Sequence, residues 1–219
     1  MASEAAVVAA AAYAGYFARP AEAVAVDLDR YVALLTKWQA AHNLVSRETL
    51  PVIWPRHIVD SLQVLRHLRP GDRRFLDLGS GGGLPAIPLA IALKGMPEVD
   101  FRLVESTGHK ASFLRLVGRE LDVPIRVFSG RIEQLDPRET GLPDVITSRA
   151  LAPLDRLCSL AAPHFGPGTR ALFHKGRDAG GELVRARVDW HLDVITWPSD
   201  TSTEGVLLEI RDLRVRSTC

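Results

Sequence analysis

The sequence predicts an α/β domain with a mostly parallel, seven-stranded sheet, and three observations predict it. Beyond Gly71, short apolar runs alternate with stretches long enough for a helix; the first run leads into a turn dense in glycine; the last two runs lie too close together to enclose a helix. The first five runs are Arg74 to Leu78, Phe101 to Glu105, Ile125 to Phe128, Asp144 to Thr147 and Ala171 to His174. Strands joined through helices lie parallel with right-handed crossovers, which gives a doubly wound sheet. His191 to Trp197 and Val206 to Ile210, separated by a turn that opens Pro198-Ser199-Asp200, are expected to pair antiparallel as a C-terminal hairpin at the sheet edge.

The segment before the first strand reads as helix. From Val24 to Ala41 the residues Val24, Leu28, Tyr31, Leu34, Leu35 and Trp38 recur at three- and four-residue steps, the pattern of one buried helical face. A second helix is expected from Trp54 to Leu68, where Ile58, Leu62 and Leu65 share a face and Pro70-Gly71 marks the end. Residues 1–70 thus form an expected helical cap on a domain of residues 71–219. The alanine-rich stretch from Ala5 to Ala18 is expected to be an amphipathic helix or a frayed leader. Glu4 stands at its head and no Lys or Arg precedes it, the wrong charge for an export signal, and it is too short to cross a bilayer.

Composition narrows the function classes. Apolar residues make up 47% and charged residues 24% of 219, which excludes a disordered or membrane-spanning chain. With 27 Lys+Arg against 26 Asp+Glu there is no global field for nucleic acid, so any such binding must come from local patches. Cys158 and Cys219 are far apart and fit no metal-ligand spacing, as expected of a cytoplasmic protein without a metal. Neither has a context that would activate a thiol.

The strongest local signal is the run Phe75 to Pro85, with Asp77 followed by Gly79, Gly81, Gly82, Gly83 and Leu84 and then a helix from about Ile87. Glycines here let the backbone turn sharply and come close to a small molecule. No Gly-Lys-Ser/Thr follows, so the loop is not a nucleoside-triphosphate cradle. The spacing G-x-G-x-G with acidic Asp77 just before it favours S-adenosylmethionine, whose methionine end is cationic, while a loose dinucleotide reading stays open. Glu105 closes the second strand a little over twenty residues on, the place for a carboxylate that accepts from ribose hydroxyls. That points to a nucleoside without saying which one. Arg149, at the C-terminal end of the fourth strand, lies where open α/β sheets bind ligands.

Taken together, the runs resemble the bacterial ribosomal RNA small-subunit methyltransferase G family, also called glucose-inhibited division protein B. The resemblance rests on Trp38 to Val45, His57 to Leu62, Asp77 to Ile91, Val104-Glu105-Ser106, Lys110 with Phe113-Leu114, Gly130 to Glu133, Asp144 to Leu154 and His174 to Arg177, in this order. It implies a Rossmann-like class I methyltransferase fold, S-adenosylmethionine as methyl donor, and N7 of a guanine in 16S ribosomal RNA as acceptor. It also implies contacts of Gly79 and Leu84 with the cofactor, of Ile132 and Glu133 with its adenine, and Arg149 as the catalytic residue between cofactor and substrate. Two positions depart from the family pattern: Ala86 replaces a second glycine after Pro85, and Ala111 replaces an arginine that often follows Lys110.

Guanine N7 carries a lone pair and no proton, so its methylation needs no general base. That agrees with the absence of an Asn/Asp-Pro-Pro-Tyr/Phe motif and of a catalytic cysteine pair. Candidate RNA contacts are Asn43, Arg56, His57, Lys110, Lys175 and Arg177, with Arg66, Arg115 and Arg119 as further basic residues near the strand ends. The expected partner is 16S RNA or the small ribosomal subunit, with no membrane and a monomeric enzyme. Other readings of the same loop are a nucleotide-linked oxidoreductase and a non-catalytic, cofactor-sensing binding module.

Overall fold

The computed structural model describes residues 1–216; Cys219 lies outside them. Seven strands form one sheet: β1 (Arg74–Leu78), β2 (Asp100–Glu105), β3 (Ile125–Ser129), β4 (Val145–Arg149), β5 (Arg170–Lys175), β6 (Trp190–Pro198) and β7 (Val206–Val215). Their order is β3-β2-β1-β4-β5-β7-β6, with β1 to β5 parallel and β7 antiparallel to both β5 and β6. The hairpin therefore closes the sheet edge as expected, its second strand lying inside the first.

Both faces of the inner parallel strands are buried while β3 lies partly exposed at the edge, and strand alternation sorts their side chains into two cores. Phe75, Phe101, Leu103 and Leu172 point to one core, whereas Leu76, Leu78, Val104, Ala171 and Phe173 point to the other. Phe75 and Phe101 stack with ring centroids 4.3 Å apart. Truncating either to alanine removes about 3–5 kcal/mol, the usual loss for a buried aromatic. The first core is covered by α2 (Ala21–His42), α4 (Ala86–Leu93) and α5 (Gly108–Leu121). The second is covered by α7 (Leu154–Ala161) and α8 (Ala179–Asp189). A short α6 (Pro137–Thr140) precedes β4.

The alanine-rich start is a docked helix, α1 (Glu4–Ala11). Ser3 caps it by accepting from the Ala6 N–H, and Ala6 and Ala10 pack on Ala25 of α2, where small side chains permit a close approach. Its apolar pattern is not sharply one-sided, since Val7 and Val8 face water.

The helix expected over Trp54 to Leu68 forms, but its pitch is irregular. A π segment (Trp54–Val59), a single α turn, α3 (Asp60–Leu62), and a 3-10 segment (Gln63–His67) follow one another on helical backbone. The physical cause is competition for backbone carbonyls. Arg149 takes the Arg56 carbonyl, His174 the Asp60 carbonyl and Arg170 the His67 carbonyl, at 3.0, 2.8 and 3.1 Å. Pro55 near the start also lacks a donor. Among the described residues no helix is long and apolar enough to cross a membrane.

Candidate functional site

Strand order reverses between β1 and its neighbours β2 and β4, and in a doubly wound sheet ligands bind in the crevice beyond the C-terminal strand ends at such a switch point. A cleft of about 1170 Å³ lies there. It is lined from one side by the glycine loop and Glu105, and from the other by Arg149, His174 and the N-terminal residues Asn43, Arg56, His57 and Asp60.

The glycines have separate tasks. A Cβ on Gly83 would meet Ile87 Cγ1 at 2.4 Å, so this glycine serves the packing of the loop on α4. A Cβ on Gly81 would have only the Gly79 carbonyl oxygen near it, at 3.9 Å, and would project into open space. At φ +55° this position favours glycine on backbone grounds as well. Gly79 lines the cleft too, but a Cβ there would strike Leu151. Two tethers hold the loop. The buried Tyr31 hydroxyl of α2 donates to the Gly82 carbonyl at 2.7 Å, and the Glu105 carboxylate accepts from the N–H groups of Gly81 and Thr107, both at 2.8 Å.

Of the sequence-predicted cofactor residues, Gly79, Gly81, Leu84, Glu105, Ile132, Glu133 and Arg149 all line the cleft. Asp77 and Gly83 do not; both stand behind the loop. Asp77 is 1% exposed and accepts from the Thr147 hydroxyl at 2.6 Å, while its other carboxylate oxygen is buried without a partner. Burial pushes its pKa up to about 6. Its role here is to tie β1 to β4.

The candidate RNA residues divide by partner. Asn43 takes the left-handed C-cap of α2 and sits at the cleft edge. Lys175 is nearly buried, its ammonium held by Glu182 at 2.6 Å and by the Ala152 carbonyl at 2.7 Å. Arg177 pairs with Glu204 at 2.7 Å and Arg66 with Asp200 at 2.9 Å. Arg56 and Lys110 reach the cleft without an ion pair among the described residues, and so does Arg131, which the sequence reading left out.

Arg149 is the centre of a polar cluster. Its Nη1 donates to Asp60 Oδ2 at 2.7 Å and to the Arg56 carbonyl, and its Nη2 donates to His57 Nδ1. Accepting at Nδ1 assigns the His57 proton to Nε2, which donates to Thr49 Oγ1 at 2.7 Å; that hydroxyl in turn donates to the Ser46 carbonyl. Burial and the neighbouring guanidinium lower the His57 pKa to about 4, so the ring is neutral. His174 is likewise pushed down by burial. Asp60, His174 and Arg131 were not among the predicted site residues. The three-residue step from His57 to Asp60 and the place of His174 near the end of β5 were the available signals.

Each carboxylate and imidazole lining this cleft has at least one protein partner, although Nδ1 of His174 is buried without one. Asp60 holds Arg149, Glu105 holds the loop, Glu133 meets Arg156, Glu204 meets Arg177, His57 meets Arg149 and Thr49, and His174 meets the Asp60 carbonyl. Among the described residues no group of three or more His, Cys, Asp or Glu side chains is placed to hold a metal ion. Cys158 is buried in the second core, and burial raises its thiol to about 12.

Comparisons with known proteins agree with this architecture. The SAH-bound methyltransferase PaMTH1 of Podospora anserina superposes with a TM-score of 0.60 at 13% identity, covering 84% of this chain and 88% of the other. Cofactor-bound Rv0187 gives a TM-score of 0.57 at 17% identity over the same shares. At such identities these likenesses establish the Rossmann-like methyltransferase fold. The ribosomal RNA small subunit methyltransferase G of Cereibacter sphaeroides is 46% identical over 187 residues, 85% of this chain and 89% of the relative. That of Paramagnetospirillum magneticum is 44% identical over 183 residues, 84% and 86% of the two chains. The family model described as rRNA small subunit methyltransferase G matches residues 25–203. The chain therefore belongs to the ribosomal RNA small subunit methyltransferase G family.

Proposed function

We propose that this chain moves a methyl group from S-adenosylmethionine to N7 of a guanine in 16S ribosomal RNA, acting as a cytoplasmic monomer, with residues 1–70 as a cap over the strand ends. The observation that carries the reading is the cleft in which the two proton-accepting groups beside Arg149, Asp60 and His57, are already bonded at both carboxylate oxygens and both ring nitrogens. An exocyclic amine would need a group to receive its proton; N7 has none to give, so a cleft whose base candidates beside Arg149 are already bonded suits it.

The residues present fit the cofactor. A Cβ at Gly81 would fill the space it needs, and Glu105, with two N–H groups accepted, keeps lone pairs for two ribose hydroxyls. Leu84 and Ile132 supply apolar wall. When bound, S-adenosylmethionine brings an electrophilic sulfonium methyl. The chain's own contribution is placement, an effect that supplies roughly 7 to 11 kcal/mol when reacting atoms are held at near-attack distance.

Arg149 keeps two of its five N–H groups beyond those given to Asp60, Arg56 and His57. They suit guanine O6, a phosphate or the cofactor carboxylate. They must not cap N7 itself, because a lone pair engaged in a hydrogen bond cannot attack. Arg56, Lys110 and Arg131 give the mouth of the cleft cationic side chains for RNA phosphates.

The test is transfer of a tritiated methyl group to small subunits, or their RNA, from cells lacking the enzyme. The expected product is a labelled nucleotide at which borohydride reduction and aniline cut the strand, as 7-methylguanosine allows. Label without a cut would overturn the N7 assignment, and no label in either substrate would overturn methyl transfer to this RNA.

A further inference from the structure

The Asp60 side chain accepts three hydrogen bonds at the cleft. Oδ2 accepts from Arg149 Nη1 at 2.7 Å, and Oδ1 accepts from the Thr201 hydroxyl and from Gln63 Nε2, both at 2.8 Å. Its backbone carbonyl accepts from His174 Nε2 at 2.8 Å. One residue thus joins the cap, the ends of β4 and β5 and the turn between β6 and β7. The turn is secured to the cap independently: Asp200 N–H donates to Gln63 Oε1 at 2.9 Å, and the Asp200 carboxylate accepts from Tyr13 and pairs with Arg66. The cap and turn would therefore stay joined without Asp60, whereas Arg149 has no other charged partner among the described residues.

Arg149 needs such a partner. A guanidinium on a long side chain samples many rotamers, and one carboxylate in a fixed place limits it to few. The bond to Asp60 and the neutral His57 ring fix which two N–H groups face the cleft. A residue that sets the direction of those donors controls whether they meet an oxygen beside N7 or N7 itself.

Resting on the methyl-transfer function above, we propose that Asp60 is a positioning residue: it touches neither cofactor nor guanine, and acts on the reaction through Arg149 by holding its guanidinium in one orientation at the cleft.

The experiment is a double-mutant cycle on the full chain with small-subunit RNA, measuring kcat, KM for RNA and the affinity for S-adenosylhomocysteine. Asp60→Asn is expected to lower kcat about a hundredfold, the scale of a misplacement near 1 Å, with S-adenosylhomocysteine affinity kept. In the Arg149→Ala background the same substitution is expected to lower kcat no further. A structural role would instead lower kcat in both backgrounds alike. Full kcat in a folded Asp60→Asn variant, or additive losses in the cycle, would overturn the proposal. Should that variant fold poorly, Asp60→Glu keeps the charge and gives the same cycle, and the proposal requires its loss to vanish in the Arg149→Ala background too. A wild-type chain that transfers no methyl group would overturn the underlying function, and this proposal with it, before any variant is compared.

Discussion

Two arginines at opposite ends of adjacent strands meet carboxylates from the N-terminal part of the chain, and they do different things. Arg149 is the last residue of β4 and Arg170 the first of β5. Arg170 is 2% exposed and ion-paired with both Asp72 and Glu209; Glu209 also accepts from Arg69, Arg211 and Trp197. Nothing at that end opens to the cleft. Arg149 has a comparable pair with Asp60 but a 16% exposed side chain at the cleft, with donors to spare. An arginine paired with a carboxylate therefore carries no functional meaning by itself. The strand end it occupies does, since parallel strands direct their C-terminal ends, loops and helix N-termini to one side of the sheet.

Substitutions can break this contrast. Arg170→Ala leaves Asp72 without its buried cation, while Glu209 keeps Arg69 and Arg211, and an unbalanced buried charge costs about 3–5 kcal/mol. Urea unfolding is expected to show that loss while kcat per folded molecule stays as in the wild type. A large fall in kcat would mean that the lower cluster reaches the site. Arg149→Ala is expected to reverse the pattern: a rate loss of about 10²–10³-fold, or about 2.7–4 kcal/mol of barrier, the scale for a lost charged donor at a reacting centre. Its stability should fall less than that of Arg170→Ala, because Thr201 and Gln63 still donate to Asp60. A full-rate enzyme would erase the distinction.

Acid sharpens it further, with a smaller effect. Folded His57 takes its proton at about 4, against about 6.5 for a free imidazole. The unfolded chain thus binds that proton first, and stability falls as the pH drops from 6.5 towards 4. Arg149, Arg56 and Asp60 face the ring, the two cations opposing its charge and Asp60 favouring it. Asp77 acts in the opposite sense, its folded pKa being raised, so the contribution of His57 is read as wild type minus His57→Asn. That difference is expected to reach at most about 1.4 kcal/mol per pH unit inside the window. Glu209, whose folded pKa is lowered, loses its contribution only as the pH falls below the ordinary carboxylate range. Glu209→Gln should leave the slope between pH 6.5 and 4.5 unchanged. An unchanged slope in His57→Asn would show that the ring is not held neutral by its site.

By itself the sequence determined the strand count, the hairpin, the long α2 helix and the glycine turn, because each is written in local periodicity and local backbone demand. Phe75, Leu76, Phe101 and Leu172 alternate as a sheet buried on both faces requires. It also marked Glu105 and Arg149 through their places at strand ends. Only the tertiary structure decided which of the marked residues reach the cleft. Asp77 and Gly83 fall behind the loop, Lys175 lines the cleft with its ammonium tied to Glu182, and Arg131 comes forward. The irregularly pitched helix around His57 and Asp60 shows why. Its carbonyls are claimed by Arg149, His174 and Arg170, residues 93, 114 and 103 positions away from their acceptors. A three- and four-residue spacing of apolar side chains records which face is buried, but it holds no record of distant donors that compete with the helix's own hydrogen bonds.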